Sequence, residues 1–185
     1  ALLHLLLRGS SAGEALTVPW RLATNSMLVS STAAIATTAA VIPVAVLTVR
    51  YRSLATSALS RIASLGFALP GIVVAVGLVF FAANYLGRVY QTFWVLLFAY
   101  VVLFLPIALG PVRSSLLQTG PHLEEAARTL GRAPVAVLSS VTVPLVRPGI
   151  IAGIALVFLT AMKELPVTLI LSPLEFGTLA TAVWS

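Results

Sequence analysis

Residues 89–112, VYQTFWVLLFAYVVLFLPIALGPV, form an uncharged stretch that lies between Arg88 and Arg113. A helix needs about 20 consecutive apolar residues to cross a hydrocarbon core roughly 30 Å thick, so this stretch is long enough to span a bilayer. Backbone amides in lipid must be hydrogen-bonded within their own segment, which favours a helix. The stretch therefore predicts a transmembrane helix and an all-α fold.

Three further stretches have the same character. Residues 22–49 and 62–87 contain no charge, and residues 148–168 contain only Lys163 and Glu164, near the far end. We predict one membrane span in each of them, and hence a polytopic transmembrane helix bundle.

Composition supports a membrane protein and excludes several other classes. Of the 185 residues, 59% are hydrophobic and 9% are charged, whereas soluble domains contain about 25% charged residues. A chain this apolar is not intrinsically disordered, and without cysteine it forms no disulfide. The net charge of +6 comes from scattered arginines rather than from a basic stripe. We therefore expect a lipid environment and no nucleic-acid partner.

Arginine positions predict the orientation. Two predicted spans separate the loop at 50–61 from the loop at 113–147, so both loops face the same side of the membrane. Seven arginines belong to that side: Arg50, Arg52, Arg61, Arg113, Arg128, Arg132 and Arg147. Three belong to the opposite side: Arg8, Arg21 and Arg88. By the positive-inside rule, we predict that the loop at 113–147 is cytoplasmic.

Both ends of the sequence suggest an excerpt of a larger membrane protein. Residues 1–7 resemble the tail of an earlier apolar helix and follow no basic segment, so no signal peptide is predicted. The sequence stops at Ser185, soon after a predicted loop at 173–177. We therefore treat residues 1–185 as one transmembrane domain fragment.

The loop at 113–147 contains a pattern typical of a short amphipathic helix over about 121–131. Gly120-Pro121 starts a helix well, because proline loses no needed hydrogen bond there, and Glu124 and Glu125 favour the first turn. Gly131 is a suitable C-terminal stop. Three residues are expected to form a face of small side chains that another protein approaches closely: Ala126, Ala127 and Leu130. Glu124 and Arg128 have the i,i+4 spacing of a helical ion pair.

The same loop resembles the EAA loop of ABC-transporter permeases. Glu125-Ala126-Ala127 is followed by three residues, Gly131, nine residues and then Val141-Thr142-Val143-Pro144. The family pattern is EAA, three residues, Gly, nine residues and Ile-x-Leu-Pro, so valine replaces both Ile and Leu here. The resemblance implies a type I ABC importer permease bundle whose cytoplasmic helix couples to a separate ATPase. The residues it assigns to ATPase coupling are Glu124, Glu125, Ala126, Ala127, Leu130, Gly131 and Pro144.

Two other stretches resemble ferric-iron permeases of this family. They are Lys163-Glu164-Leu165-Pro166 with the residues up to Pro173, and the segment from Ala63 to Gly71. The resemblance covers nearly the whole chain and implies the C-terminal half of such a permease. Permeases for thiamine, polyamines, phosphonates and oxyanions share the scaffold, so these cargoes stay open.

The resemblance also implies partners and a location. The expected partners are an ABC ATPase dimer, a periplasmic or extracellular substrate-binding protein, and a second permease half or copy. The expected location is the bacterial plasma (inner) membrane. The chain has no G-x-x-x-x-G-K-[ST] motif, so we expect a transport subunit rather than an enzyme, with ATP bound by the partner and no cofactor on this chain.

Lys163, Glu164 and Pro166 have two interpretations. Pro166 removes a helical hydrogen bond, so we predict that the helix ends or breaks there. Charged groups within a membrane are costly and tend to be functional, which suggests a translocation path or outer gate. The alternative is an ordinary interfacial helix end.

Rival functions have weaker support. A secondary transporter would need coupling carboxylates or histidines within its spans, and only Glu164 qualifies. A membrane scaffold that recruits a soluble partner through the helix at 121–131 stays open, whereas an intramembrane enzyme lacks a catalytic set. His4 and His122 are too far apart in sequence to suggest a metal site.

Overall fold

The structure is a computed structural model that describes residues 17–51, 53–67, 69–87, 91–173 and 176–184. Over these residues the chain forms helices and turns and no β-strand. The predicted all-α fold is therefore confirmed for the described residues.

Nine helices follow one another along the described part of the chain. They are α1 Thr17–Arg50, α2 Leu54–Ser64, α3 Gly71–Tyr85, α4 Phe93–Gln118, α5 His122–Thr129, α6 Pro134–Leu145, α7 Arg147–Met162, α8 Pro166–Leu171 and α9 Leu179–Trp184. A 3₁₀ turn, Leu65–Phe67, follows α2, and α6 contains a π-helical turn, Leu138–Thr142.

Two helices are long and apolar enough to cross a membrane, within the part of the chain that the structure describes. They are Trp20–Arg50 and Phe93–Gln118. A third span would result if α6 and α7, which are bent by 75° relative to each other, counted as one. The bend follows from Pro148, which lacks the N–H that would continue the helix and whose ring clashes with the carbonyl four residues earlier.

The prediction of one helix over 62–87 is wrong. This stretch begins at the end of α2, passes through the 3₁₀ turn and continues as α3, which has only 15 residues. Pro70 lies at the start of α3 because proline lacks the N–H that a helix interior requires. The helix boundaries at 89–112 also differ, because α4 continues past Arg113 to Gln118.

The chain divides into two compact units. The first contains the described residues within 1–33, 70–100 and 158–185. In it α8 packs against α3. The hydroxyl groups of Tyr100 and Thr168 share a buried hydrogen bond.

The predicted break at Pro166 is confirmed in this unit. Helix α7 ends at Met162, and α8 begins with Pro166 in its first turn. The fourth predicted span, 148–168, is therefore two helices and not one.

The second unit contains residues 34–69 and 101–157. Two of its helices, α4 and α7, approach closely at Gly149 and Gly153. A Cβ atom built on Gly149 would lie 2.6 Å from the carbonyl oxygen of Pro111, and one on Gly153 would lie 3.5 Å from that of Ala108. Glycine at position 149 therefore lets α7 lie directly against the backbone of α4, whereas a Cβ at position 153 would make an ordinary van der Waals contact.

Candidate functional site

Helix α5 forms where the sequence predicts it. The N–H of Glu125 donates to the carbonyl of Pro121 at 3.0 Å, and Glu124 and Glu125 occupy the first turn. At the other end, the N–H groups of Gly131 and Arg132 donate to the carbonyls of Arg128 and Ala127. This bonding pattern is a Schellman motif, which requires a left-handed residue, and Gly131 has φ of +80°. The predicted stop at Gly131 is confirmed.

A buried ion pair fixes α5 to the end of α1. Nη2 of Arg50 lies 3.0 Å from Oε1 of Glu124, and Nε of Arg50 lies 3.2 Å from Oε2. The same Nη2 donates to the carbonyl of Thr119 at 2.8 Å. The two side chains are only 12% and 7% exposed, so the pair is shielded from solvent. Bidentate geometry of this kind is stronger and more directional than a single contact.

This pair corrects the predicted Glu124–Arg128 pairing. Glu124 lies on the buried side of α5 and faces Arg50, whereas Arg128 donates from Nη2 to the hydroxyl of Tyr51 at 3.0 Å. Both contacts join α5 to residues 50–51. They place residues 50–51 beside α5, as expected if the two loops face the same side of the membrane.

The exposed face of α5 differs in part from the predicted one. Ala127 is buried, so the expectation that it belongs to an accessible face of small side chains is wrong. Ala126 is exposed and Leu130 is 83% exposed. Leu123 joins them at 56% exposure, and sequence analysis missed it. Spacings of three and four residues place Leu123, Ala126 and Leu130 on one side of the helix, which we call the α5 outer face.

Glu125 lies at the surface beside this face. Its side chain is 67% exposed, and Oε2 lies 4.0 Å from Nδ1 of His122, which is itself 89% exposed. A carboxylate in the first turn of a helix is favoured by the helix dipole. Glu125 therefore presents a negative charge to solvent, unlike the buried carboxylate of Glu124.

Helix α6 supports the inner side of α5. Contacts with α5 come from the segment Pro134–Val137 and from the π-helical turn Leu138–Thr142. Val137 and Thr142 are fully or almost fully buried there. Pro144 is exposed near the end of α6, just before the bend into α7. Helix α5 therefore packs against α6, which is followed directly in the chain by α7.

Lys163 and Glu164 lie between α7 and α8. Lys163 is exposed and Glu164 is half-buried. Oε1 of Glu164 accepts the N–H of Val167 at 3.4 Å, and its main-chain carbonyl accepts the hydroxyl of Thr168 at 2.6 Å. Glu164 therefore accepts hydrogen bonds from the first turn of α8, a role that sequence analysis did not assign.

No group of three or more metal-binding side chains comes together in the described residues. His122 lies on α5, and His4 lies outside the described residues.

Comparison with known proteins identifies a family that matches most of the chain. A family profile described as "Binding-protein-dependent transport system inner membrane component" matches residues 38–183, which include every residue of α5 and α6.

Curated relatives include permeases for several cargoes. The chain is 41% identical over 160 residues to the Fe(3+)-transport system permease protein FbpB 2 of Haemophilus influenzae, covering 86% of this chain and 32% of that protein. It is 29% identical over 127 residues to the putative 2-aminoethylphosphonate transport system permease protein PhnV of Salmonella paratyphi A, covering 69% and 48%. It is 29% identical over 136 residues to the spermidine/putrescine transport system permease protein PotC of Haemophilus influenzae, covering 74% and 52%. The chain thus spans from about a third to about half of the length of these relatives.

Proposed function

Because the chain belongs to the family of binding-protein-dependent transport system inner membrane components, we propose that it couples ATP hydrolysis by a separate subunit to the import of a substrate, and that this substrate is ferric iron. The chain is a membrane permease and not itself an enzyme. The ATPase, the substrate-binding protein and the cargo are the parts of this proposal that go beyond family membership.

The observation that supports the coupling role is the exposed α5 outer face. The opposite side of α5 is held by Arg50 and by α6. Leu123, Ala126 and Leu130 have no covering element among the described residues, and Leu130 is 83% exposed. Exposed apolar side chains on one side of a helix favour insertion into a groove of another protein. Ala126 leaves room for close approach, and Glu125 offers a carboxylate to a basic or N–H donor on the partner. The proposed partner is the ATPase dimer.

Force has two routes from α5 into the bundle. One is the ion pair between Arg50 and Glu124, which connects α5 to the end of the long helix α1. The other is the packing of α5 against α6, which continues through the 75° bend into α7. Closure of the ATPase dimer would thus move α1 and α7 together and change access to the translocation path.

Support for ferric iron comes from the similarity to FbpB 2, which has higher identity and covers more of this chain than the two other relatives described. Those relatives are named as phosphonate and polyamine permeases, so these cargoes, with thiamine and oxyanions, are the alternatives. Selection of the cargo would then rest with an external binding protein. A second permease half or copy would complete the path.

Cysteine cross-linking in the full-length protein tests the docking. The 185 residues contain no cysteine, so an introduced thiol is unique within them. After removal of any cysteine elsewhere, Ala126→Cys and Leu130→Cys should cross-link to the co-expressed ATPase in membranes. Tyr85→Cys is the matched control, because Tyr85 is 72% exposed and lies at the end of α3 on the predicted opposite side. Cross-linking of Tyr85→Cys but not of the α5 variants would refute the proposal.

Uptake assays identify the cargo and distinguish an ATP-driven importer from a secondary transporter or a scaffold. Cells that depend on this transporter should accumulate ⁵⁵Fe(III) with the intact ATPase and lose uptake when its nucleotide-binding lysine is replaced. Uptake that survives this replacement would indicate a secondary transporter, and absence of any uptake would indicate a scaffold. Uptake of spermidine or 2-aminoethylphosphonate in place of iron would reassign the cargo and leave the coupling role intact.

A further inference from the structure

A polar cleft in the second unit lies next to the ion pair of Arg50 and Glu124. No acidic side chain lines it. Its volume is about 440 Å³, within the range of about 300–1,000 Å³ typical of small-molecule sites. The lining comprises the end of α1 and the following residue, one side of α2, and Arg113 of α4: Thr48, Tyr51, Thr56, Ser57, Ser60, Arg61 and Arg113. All of these residues belong to the second unit.

The cleft has an uncompensated positive charge. Arg61 and Arg113 are 52 positions apart in sequence (113 minus 61) yet line the same cavity, and no carboxylate lines it. Ion pairs among the described residues involve Arg50 and His122 and neither of these two arginines. Two guanidinium groups near hydroxyl donors are the groups that bind phosphate oxygens, because guanidinium matches their geometry and stays charged.

The hydroxyl groups in the cleft complement this charge. Ser57 and Ser60 are one helical turn apart on α2, so they extend along the same side as Arg61. The hydroxyl of Tyr51 accepts a hydrogen bond from Arg128, which leaves its own proton available to a ligand. These hydroxyl groups can donate to the oxygens of an anion, and the charges of Arg61 and Arg113 disfavour a cation in the same cleft.

The cleft lies where two of the uncharged stretches end, which predicts its depth in the membrane. Thr48 is in the last turn of α1, where the uncharged stretch 22–49 ends, and Arg113 ends the uncharged stretch 89–112. Boundaries of this kind mark the level of lipid head groups. Basic pockets between helices on the cytoplasmic side are the typical binding places of anionic head groups.

We propose that this cleft binds the phosphate group of an anionic ligand, and that its position favours the head group of an anionic phospholipid such as phosphatidylglycerol. The site is separate from the α5 outer face and does not depend on the cargo.

Lipid retention by the full-length permease tests the site. The purified protein is placed in nanodiscs of phosphatidylcholine with or without phosphatidylglycerol, and native mass spectrometry counts the phosphatidylglycerol that stays bound. Arg61→Gln and Arg113→Gln should each weaken retention about fivefold, and the double variant about 25-fold, given the usual contribution of one arginine near anionic lipid. Arg147→Gln is the matched control, because Arg147 is exposed in the same unit and does not line the cleft.

A second arm distinguishes the lipid from a soluble phosphate compound. In nanodiscs of phosphatidylcholine alone, inorganic phosphate and glycerol 3-phosphate are titrated while binding is followed by ³¹P NMR. Arginine-dependent binding in this arm, without retention of phosphatidylglycerol, supports the anion site and assigns it a soluble ligand. The proposal is overturned if neither ligand responds to the two cleft arginines, or if Arg147→Gln weakens binding as much as they do.

Discussion

Arg50 and Glu124 are 74 positions apart in sequence, and their side chains meet as a bidentate, solvent-shielded ion pair. The pair joins the last residue of a long apolar helix to the first turn of a short surface helix. The ion pair therefore holds α5 against the end of α1, with the α5 outer face exposed.

Removal of Glu124 should destabilise the protein strongly. In Glu124→Ala the guanidinium of Arg50 stays buried without its counter-charge, which costs about 3–5 kcal/mol of unfolding free energy. Unfolding of the full-length protein titrated with SDS measures the loss. Glu125→Ala is the control, since the carboxylate of Glu125 is 67% exposed and its removal should change stability by less than about 0.5 kcal/mol.

A double variant distinguishes the cost of an unpaired buried charge from the cost of lost packing at Arg50 and Glu124. Arg50→Met with Glu124→Leu replaces the pair by apolar side chains and should recover most of the stability that Glu124→Ala loses. Equal stability of Glu124→Ala and Glu125→Ala would contradict the account of a buried pair.

Gly131→Ala should weaken the end of α5 through the backbone alone. A Cβ atom at Gly131 meets nothing within 4 Å, but φ of +80° costs an L-residue about 1–2 kcal/mol. Gly131→Asn should lose less, because asparagine tolerates this conformation better. Gly77→Ala is the comparison, since Gly77 also has open space but lies inside α3, where alanine is favoured. A Gly131→Ala protein as stable as Gly77→Ala would contradict the prediction.

Gly149→Ala should disturb the contact between α7 and α4. The new Cβ atom would lie 2.6 Å from the carbonyl oxygen of Pro111, a backbone atom that moves only with its helix. Overpacking of this kind costs about 1–3 kcal/mol. Gly110→Ala, with nothing within 4 Å of its Cβ, should leave the unfolding temperature unchanged or raise it. The idea fails if the two variants unfold alike.

Lys163 and Glu164 should affect transport in different ways. We expect Lys163→Ala to lower uptake without loss of assembled protein, and Lys163→Arg to restore it, if the exposed ammonium group faces the substrate path or its gate. Glu164→Ala should lower both uptake and stability, because it also removes the acceptor of the Val167 N–H. Undiminished uptake in both alanine variants would leave these residues as an interfacial helix end.

Local features of the site could be predicted because their causes lie within a few residues. Pro121, the two glutamates of the first turn and Gly131 define a helix by propensity and capping, and α5 has those limits. The break before Pro166 follows from the missing N–H of proline in the same direct way. Uncharged stretches likewise placed α1 and α4.

Features that depend on distant residues could not be predicted. The i,i+4 spacing suggested Arg128 as the partner of Glu124, whereas Arg50 is held beside it by tertiary packing. Ala127 is buried and α5 packs against α6, and no rule of helix spacing decides which side of α5 faces inward. The absence of charge over 62–87 suggested one helix, but the helix is interrupted there. Gly66 lies close to Pro106, and Pro70 starts a new helix.

The π-helical turn Leu138–Thr142 bears on how this region tolerates changes of length. It begins within the nine residues between Gly131 and Val141 and extends two residues beyond them, to Thr142. A π turn contains one residue more than an α turn, so loss of one residue here would give a regular α-helix and keep Pro144 in phase with the first turn of α6. The same deletion in the middle of α4 would rotate every later side chain by about 100°. Deletion of one residue at this turn should therefore cost less stability than deletion of one residue in the middle of α4.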